Sequence, residues 1–300
     1  MSMLIANPIY DVVFKRMMEN ERVAKFFIGT LLDQQIVSIE VMPQEFTYSN
    51  SPIGVSIFRL DFIVTIKTAD NEYKKVLIEI QKVRNLVDLV RFRNYLGEQY
   101  KKEDRVENKK TVLPITTIYV LGFSLPEIEA ACLKVERTYI DLVNKTIIDK
   151  KSDFVEKLTH DCYVVQVNKI TDRYQTRLDK LLSVFEQSNF TDDSKITKTF
   201  SHDTDIEEVK LMTDILHHSG TNPEEKKELE NEQEGWRTIN AYVGEYQIKL
   251  EEKLIDIAKK EREITEKEKE ITEKDKEITE KDRLIEELKK KLNDLNNTND

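Results

Sequence analysis

A chain of 300 residues has room for two average domains, yet 35% of it is charged and it holds only 7 glycines and 6 prolines. So few turn-formers imply long helices or charged, extended segments, and a hydrophobic share of 39%, under the roughly 45–50% usual for globular chains, implies that part of the sequence joins no core. The net charge of −10 argues at first against a nucleic-acid partner, the lack of any run of about 18 apolar residues argues against a membrane span, and the start MSMLIANPIYDVVFK lacks the character of a secretion signal, so a cytoplasmic protein is expected.

In chain order, residues 11–32 carry apolar side chains at helical spacing (Val13, Phe14, Met17, Met18, Val23, Phe26, Phe27, Leu31), which predicts a helix with a break near Glu19 and Asn20. Residues 36–48, 56–67 and 73–82 alternate as strands, and 85–102 read as helix. The β-branched run 111–123 predicts a strand, 137–148 a small hairpin, 163–170 another strand and 173–187 a helix. This is a mixed α/β order: helix, three strands, helix, strand. Cys132 and Cys162 have no second Cys or His at ligand spacing, so two buried, reduced thiols are expected rather than a zinc site or disulfide framework.

The charge is unevenly placed. Residues 251–300 hold 13 basic and 17 acidic side chains, and residues 184–235 hold 5 and 14. Residues 1–183 are left with a net charge of +2, and residues 82–110 with nine basic against five acidic groups, a face that tolerates a phosphate backbone or is simply a solvated helix surface. The division expected is an α/β domain over 1–183, an acidic linker with short helices over 184–250 and a heptad tail over 251–300. In the tail, Ile257, Ile264, Ile271, Ile278, Ile285 and Leu292 recur every seven residues, the mark of a left-handed coiled coil and hence of a homodimer. Its second seam position is poor, because Lys267, Lys274 and Lys281 precede the one apolar residue there, Leu288. A single exposed helix held by neighbouring Glu/Lys pairs is the alternative.

Strands 56–67 and 73–82 are joined by Thr-Ala-Asp-Asn, which suits a hairpin centred near Asp70. Pairing residue i with 140 − i sets Leu60 against Ile80, Phe62 against Ile78 and Val64 against Val76 on one apolar face. The same register sets Asp61 against Glu79 on the other face, with Gln81 beyond. Opposed carboxylates cost stability unless a cation or shared proton joins them. Hard oxygen ligands in that geometry suit Mg2+ or Mn2+, whose chemistry is metal-assisted phosphodiester hydrolysis.

The run RLDFIVTIKTADNEYKKVLIEIQK resembles the D…(D/E)-x-(K/Q) core of the PD-(D/E)XK nuclease superfamily. With NPIYDVVFKRMMEN upstream and DLVRFRNYLGEQY and PITTIYVLGF downstream, residues 7–125 are similar to the branch described as PD-(D/E)XK family transposase or recombination-promoting nuclease. The resemblance implies a restriction-endonuclease-like fold, with a mixed sheet flanked by helices, and a magnesium-dependent DNA endonuclease. It makes Asp61 and Glu79 metal ligands and puts Gln81 where many members have a catalytic lysine. Glutamine orients water or phosphate by hydrogen bonds and supplies no charge. Asp11 and Lys15, one helical turn apart in DVVFK, would face the site as a further ligand and a catalytic cation, or else form an ordinary surface ion pair. Lys82 follows Gln81, although strand alternation turns it to the opposite face. Lys82, Arg84, Arg91 and Arg93 are the expected DNA contacts, and Tyr95 either joins them or packs on the sheet.

The rival is a nucleic-acid-binding or assembly protein of mobile-element or phage-defence type that keeps the fold without efficient catalysis. A further expectation is that the acidic middle covers the basic face and restrains it.

Overall fold

A computed structural model describes residues 2–41, 47–48, 56–57, 62–82, 84, 86–191 and 193–296. The chain divides into two units, Met1–Gly235 and Trp236–Asp300. In order, the elements are β1 (Met3–Ala6), α1 (Asp11–Glu19), α2 (Glu21–Leu32), β2 (Ile36–Val41), β3 (Thr47–Tyr48), β4 (Ser56–Ile57), β5 (Phe62–Thr68), β6 (Tyr73–Gln81) and α3 (Leu86–Lys101). There follow β7 (Asp104–Val106), β8 (Lys109–Thr111), β9 (Ile115–Leu121), β10 (Cys132–Val135), β11 (Tyr139–Asp141), β12 (Thr146–Ile148), α4 (Asp153–Leu158) and β13 (His160–Gln166). Last come α5 (Arg177–Phe185), β14 (Thr197–Phe200), α6 (Glu207–Thr221) and α7 (Pro223–Asn296).

The fold is α/β. Six strands form one mixed sheet in the order β10-β13-β9-β6-β5-β2, with β9 parallel to both its neighbours and the other pairs antiparallel. One face, with Val64, Ile66, Val76, Ile78, Ile118 and Val120, shares a core with α1, α2, α5 and α6. The other face buries Ile63, Leu77 and Ile115 against Phe92 and Tyr95 of α3. Each large apolar side chain so enclosed is worth about 1.5–3 kcal/mol relative to exposure.

The predicted break in the first helix falls at Asn20, whose extended backbone ends α1 and whose side-chain oxygen accepts the Arg22 and Val23 N–H groups at 3.1 and 3.3 Å. The β5-β6 register runs Phe62↔Ile78, Ile63↔Leu77, Val64↔Val76 and on to Lys67↔Tyr73, as the 140 − i rule requires, and Asn71 turns the hairpin at φ 68°. The small hairpin is β11-β12. The strand expected over 111–123 is confined to Ile115–Leu121, because Thr111 belongs to the β7-β8 hairpin and Pro114 intervenes. Both cysteines are free and half-buried, and burial pushes their thiols up, Cys132 to about 11.

The acidic middle departs from the expected linker. Its residues form β14, which pairs with β1, and α6, on which Val209, Met212 and Leu216 at spacings of three and four are fully buried. Gly220 of α6 lies so close to β1 that a Cβ there would come within 3.0 Å of the Ala6 nitrogen. The apolar stripe is narrow and its flanks are acidic, so average composition conceals a core helix.

The second unit is the remainder of α7. Its isoleucines at 257, 264, 271, 278 and 285 are each 47–59% exposed, and Lys267, Lys274 and Lys281 are exposed as well. Thr265, Thr272 and Thr279 donate back to the carbonyls of Glu261, Glu268 and Asp275 at 2.7–2.9 Å. No helix among the described residues is long and apolar enough to cross a membrane.

Candidate active site

The parallel pair β6-β9 is joined by the α3 crossover, and in such sheets ligands gather beyond the carboxyl ends of the strands. Here those ends are held together tightly. The Gly122 N–H donates to the Gln81 carbonyl at 2.7 Å, and a Cβ at Gly122 would meet the Lys82 Cα and oxygen at 3.1 Å. A larger residue would force the two strand ends apart.

Glu79, one residue past the last described rung of the 140 − i pairing, Phe62↔Ile78, faces α3 and is fully buried. A carboxylate out of water needs a cation. It has one in Arg91, one of whose terminal nitrogens donates to Glu79 Oε1 at 2.5 Å. Beside it on β9 is Tyr119, whose phenol is pushed up by burial and further by Cys162 and Glu79. Gln81 is 8% exposed, and its side-chain nitrogen has no hydrogen-bond partner among the described residues. A buried amide N–H without an acceptor is costly, about 1–3 kcal/mol, and is a place for a ligand oxygen.

Lys82 turns to the α1 side, as alternation predicts. Its ammonium sits 4.1 Å from the centroid of the Tyr10 ring and pairs with Glu232, a residue of the acidic middle. The two Glu232 oxygens also accept the backbone N–H groups of Asp11 and Val12, at 3.0 and 3.2 Å, at the N-terminus of α1. Burial pushes the Asp11 carboxyl up; Lys82, Lys15 and Arg91 pull it down, and Glu232 adds to the rise. Asp11, Lys15, Lys82, Arg91 and Glu232 therefore share one electrostatic neighbourhood.

Of the residues predicted from sequence, Asp61 lies outside the described residues. Glu79 and Gln81 share the α3 face at the end of β6, Arg91 joins Glu79, and Asp11 with Lys15 lies on the first turns of α1. Arg91 is paired with a carboxylate, Tyr95 is packed in the core, and Arg84 and Arg93 are exposed. Sequence reasoning missed Glu232, Tyr10, Arg16 and Gln233. The available signal was the spacing of Glu225, Glu228 and Glu232 by three and four, which puts three acids on one helix face.

Among the described residues no three Asp, Glu, His or Cys side chains gather as a metal-holding group. The oxygen donors at the end of β6, a carboxylate and an amide carbonyl, are of the type a hard cation takes, and the Gln81 nitrogen has no acceptor among the described residues. No protein-family model, curated protein or solved structure matches this chain.

Proposed function

We propose that the Met1–Gly235 unit is a metal-dependent DNA endonuclease of PD-(D/E)XK type, transposase- or recombination-associated, with Glu79 at its centre. The observation that carries this reading is a fully buried carboxylate near the carboxyl end of a parallel strand, two residues from a buried amide nitrogen that has no acceptor among the described residues. The β5-β6 register is consistent with it: continued one step beyond the described residues, the 140 − i rule would pair Asp61 with Glu79.

Asp61 and Glu79 would hold Mg2+ or Mn2+, with Asp11 as a further ligand. The ion would polarise a phosphoryl oxygen and acidify an attacking water. Gln81 would donate its free N–H to a phosphate oxygen or hold the water in line. Lys15 would add positive charge from α1. Arg91 would hold the Glu79 carboxylate in place. Two copies joined along the tail isoleucines would place two nicking centres on one assembly, and the exposed seven-residue stripe supports that pairing.

The test is supercoiled plasmid with magnesium or manganese. Glu79→Gln is expected to lose at least about a hundredfold in cleavage, the scale on which disturbing a metal's surroundings acts. If the variant cuts as well as the parent, the active-site assignment is wrong. A second reading, a nucleic-acid-binding protein without efficient catalysis, is favoured by the Arg91 guanidinium at Glu79 and by glutamine at position 81. Salt-sensitive DNA binding with no manganese-dependent shift in melting temperature would select it.

A further inference from the structure

The first turns of α7 lie against α1 as an acidic strap. Residues 223–235 carry six acidic and two basic side chains. Arg16 pairs with Glu225 at 2.8 Å and with Glu228 at 2.6 Å, Tyr10 donates its hydroxyl to Gln233 at 2.5 Å, and Glu232 takes Lys82 together with two N–H groups of α1. The Lys82 side chain is only 9% exposed under this contact. Apolar anchoring is slight, since Leu229 is the one buried apolar residue of the segment.

The Glu232 carboxylate is held in the manner of a phosphate: two oxygens on successive backbone N–H groups at a helix N-terminus, with an ammonium alongside. The lysine that holds it directly follows Gln81, and the helix start it caps is Asp11 itself. We propose that this is a phosphate subsite for the nucleic-acid backbone, occupied in cis by Glu232, and that residues 223–235 form an autoinhibitory strap that nucleic acid must displace. The proposal rests on the reading of the neighbouring Glu79 site as one that acts on nucleic acid. Exchange of one anion for another at the same donors leaves Lys82 and the α1 N–H groups satisfied in both states, so opening is resisted, among the described contacts, by Leu229, the Arg16 pairs, His218 at Glu225 and the Tyr10–Gln233 hydrogen bond. Arg16 then also gains a backbone phosphate. A hold made chiefly of ion pairs weakens with salt, whereas one made of buried apolar surface does not.

The experiment uses the full chain and a fluorescent 30-base-pair duplex in calcium or EDTA, so that binding is read without cleavage. The triple variant Glu225→Gln, Glu228→Gln, Glu232→Gln should bind about tenfold or more tightly than the parent, and adding Lys82→Gln should remove most of that gain. Hydrogen exchange over 223–235 in the parent should speed up when duplex is added. A folded triple variant with unchanged or weaker affinity, or a strap whose exchange ignores saturating duplex, overturns the proposal. If the gain and its Lys82 dependence are seen but no form of the protein cleaves DNA, the strap stands and the nuclease reading falls. If neither parent nor variant binds duplex or single strand, both fall.

Discussion

Strand β6 carries a buried ion pair near each end, and the two are built differently. At its start, the Lys75 ammonium meets Asp104 Oδ1 at 2.5 Å, with side-chain exposures of 2% and 8%, while Asp104 Oδ2 accepts the Leu113 N–H at 3.0 Å. Both carboxylate oxygens are used, and the pair fixes the β7-β8 hairpin beside the entry to β9. At the other end, Glu79 is fully enclosed but its partner Arg91 keeps a quarter of its side-chain surface in solvent. Enclosure on both sides marks a fastening. Enclosure on the carboxylate side alone marks a charge whose counter-ion can be exchanged, and that asymmetry sits where the strand meets Gln81 and Gly122.

The largest expected effect therefore belongs to the end with no proposed chemistry. Lys75→Ala strands a buried carboxylate and should cost about 3–5 kcal/mol in urea denaturation. Arg91→Ala should cost clearly less, since water reaches its place. Equal losses at the two positions would erase the distinction between fastening and exchangeable pair.

How far the sequence carried the reading follows the same line between local and distant effects. The hairpin register, the Asn20 break and the opposite facing of Glu79 and Lys82 were legible, because period-two alternation and a side-chain cap are set by neighbours in the chain. The Glu79–Arg91 pair spans 12 residues and was half legible: Arg91 was picked out for its charge, as a phosphate contact, and its pairing with Glu79 was not foreseen. Glu232 on Lys82 spans 150 residues, and no local pattern encodes such a contact. The same holds for the acidic middle, where Val209, Met212 and Leu216 serve a core built by residues some 190 positions earlier, and a surface of glutamates and aspartates masks them.

A third buried cation sharpens the comparison by lacking a close carboxylate. Lys198 of β14 donates to the Ser183 and Glu186 backbone carbonyls at the end of α5, with the Glu186 carboxylate 3.9 Å away, and burial lowers its pKa from 10.5 to about 8. Below about pH 8 both folded and unfolded chains hold the proton and the cost of burying the ammonium is fully present. Above it the folded chain loses the proton first, the unfolded chain binds more, and stability rises until about pH 10.5. The gain is on the order of 3 kcal/mol. Subtracting the pH profile of Lys198→Met from that of the parent isolates it; the lost carbonyl bonds enter only as an offset. A flat difference between pH 7 and 10 would mean that the backbone carbonyls fully compensate this ammonium.

The smallest effect is the most discriminating for the site. If Arg91 occupies the place of an exchangeable counter-ion, Arg91→Ala should lower the melting temperature in EDTA and recover part of the loss in manganese. An ion at ten times its dissociation constant adds about 1.4 kcal/mol. The parent should gain less, because there the incoming ion must first displace a guanidinium, and Glu79→Gln should gain least, having no carboxylate to offer at that position. Manganese responses that are equal in all three proteins would show that Glu79 is a structural carboxylate like Asp104. The two ends of β6 would then differ only in how much water reaches the cation.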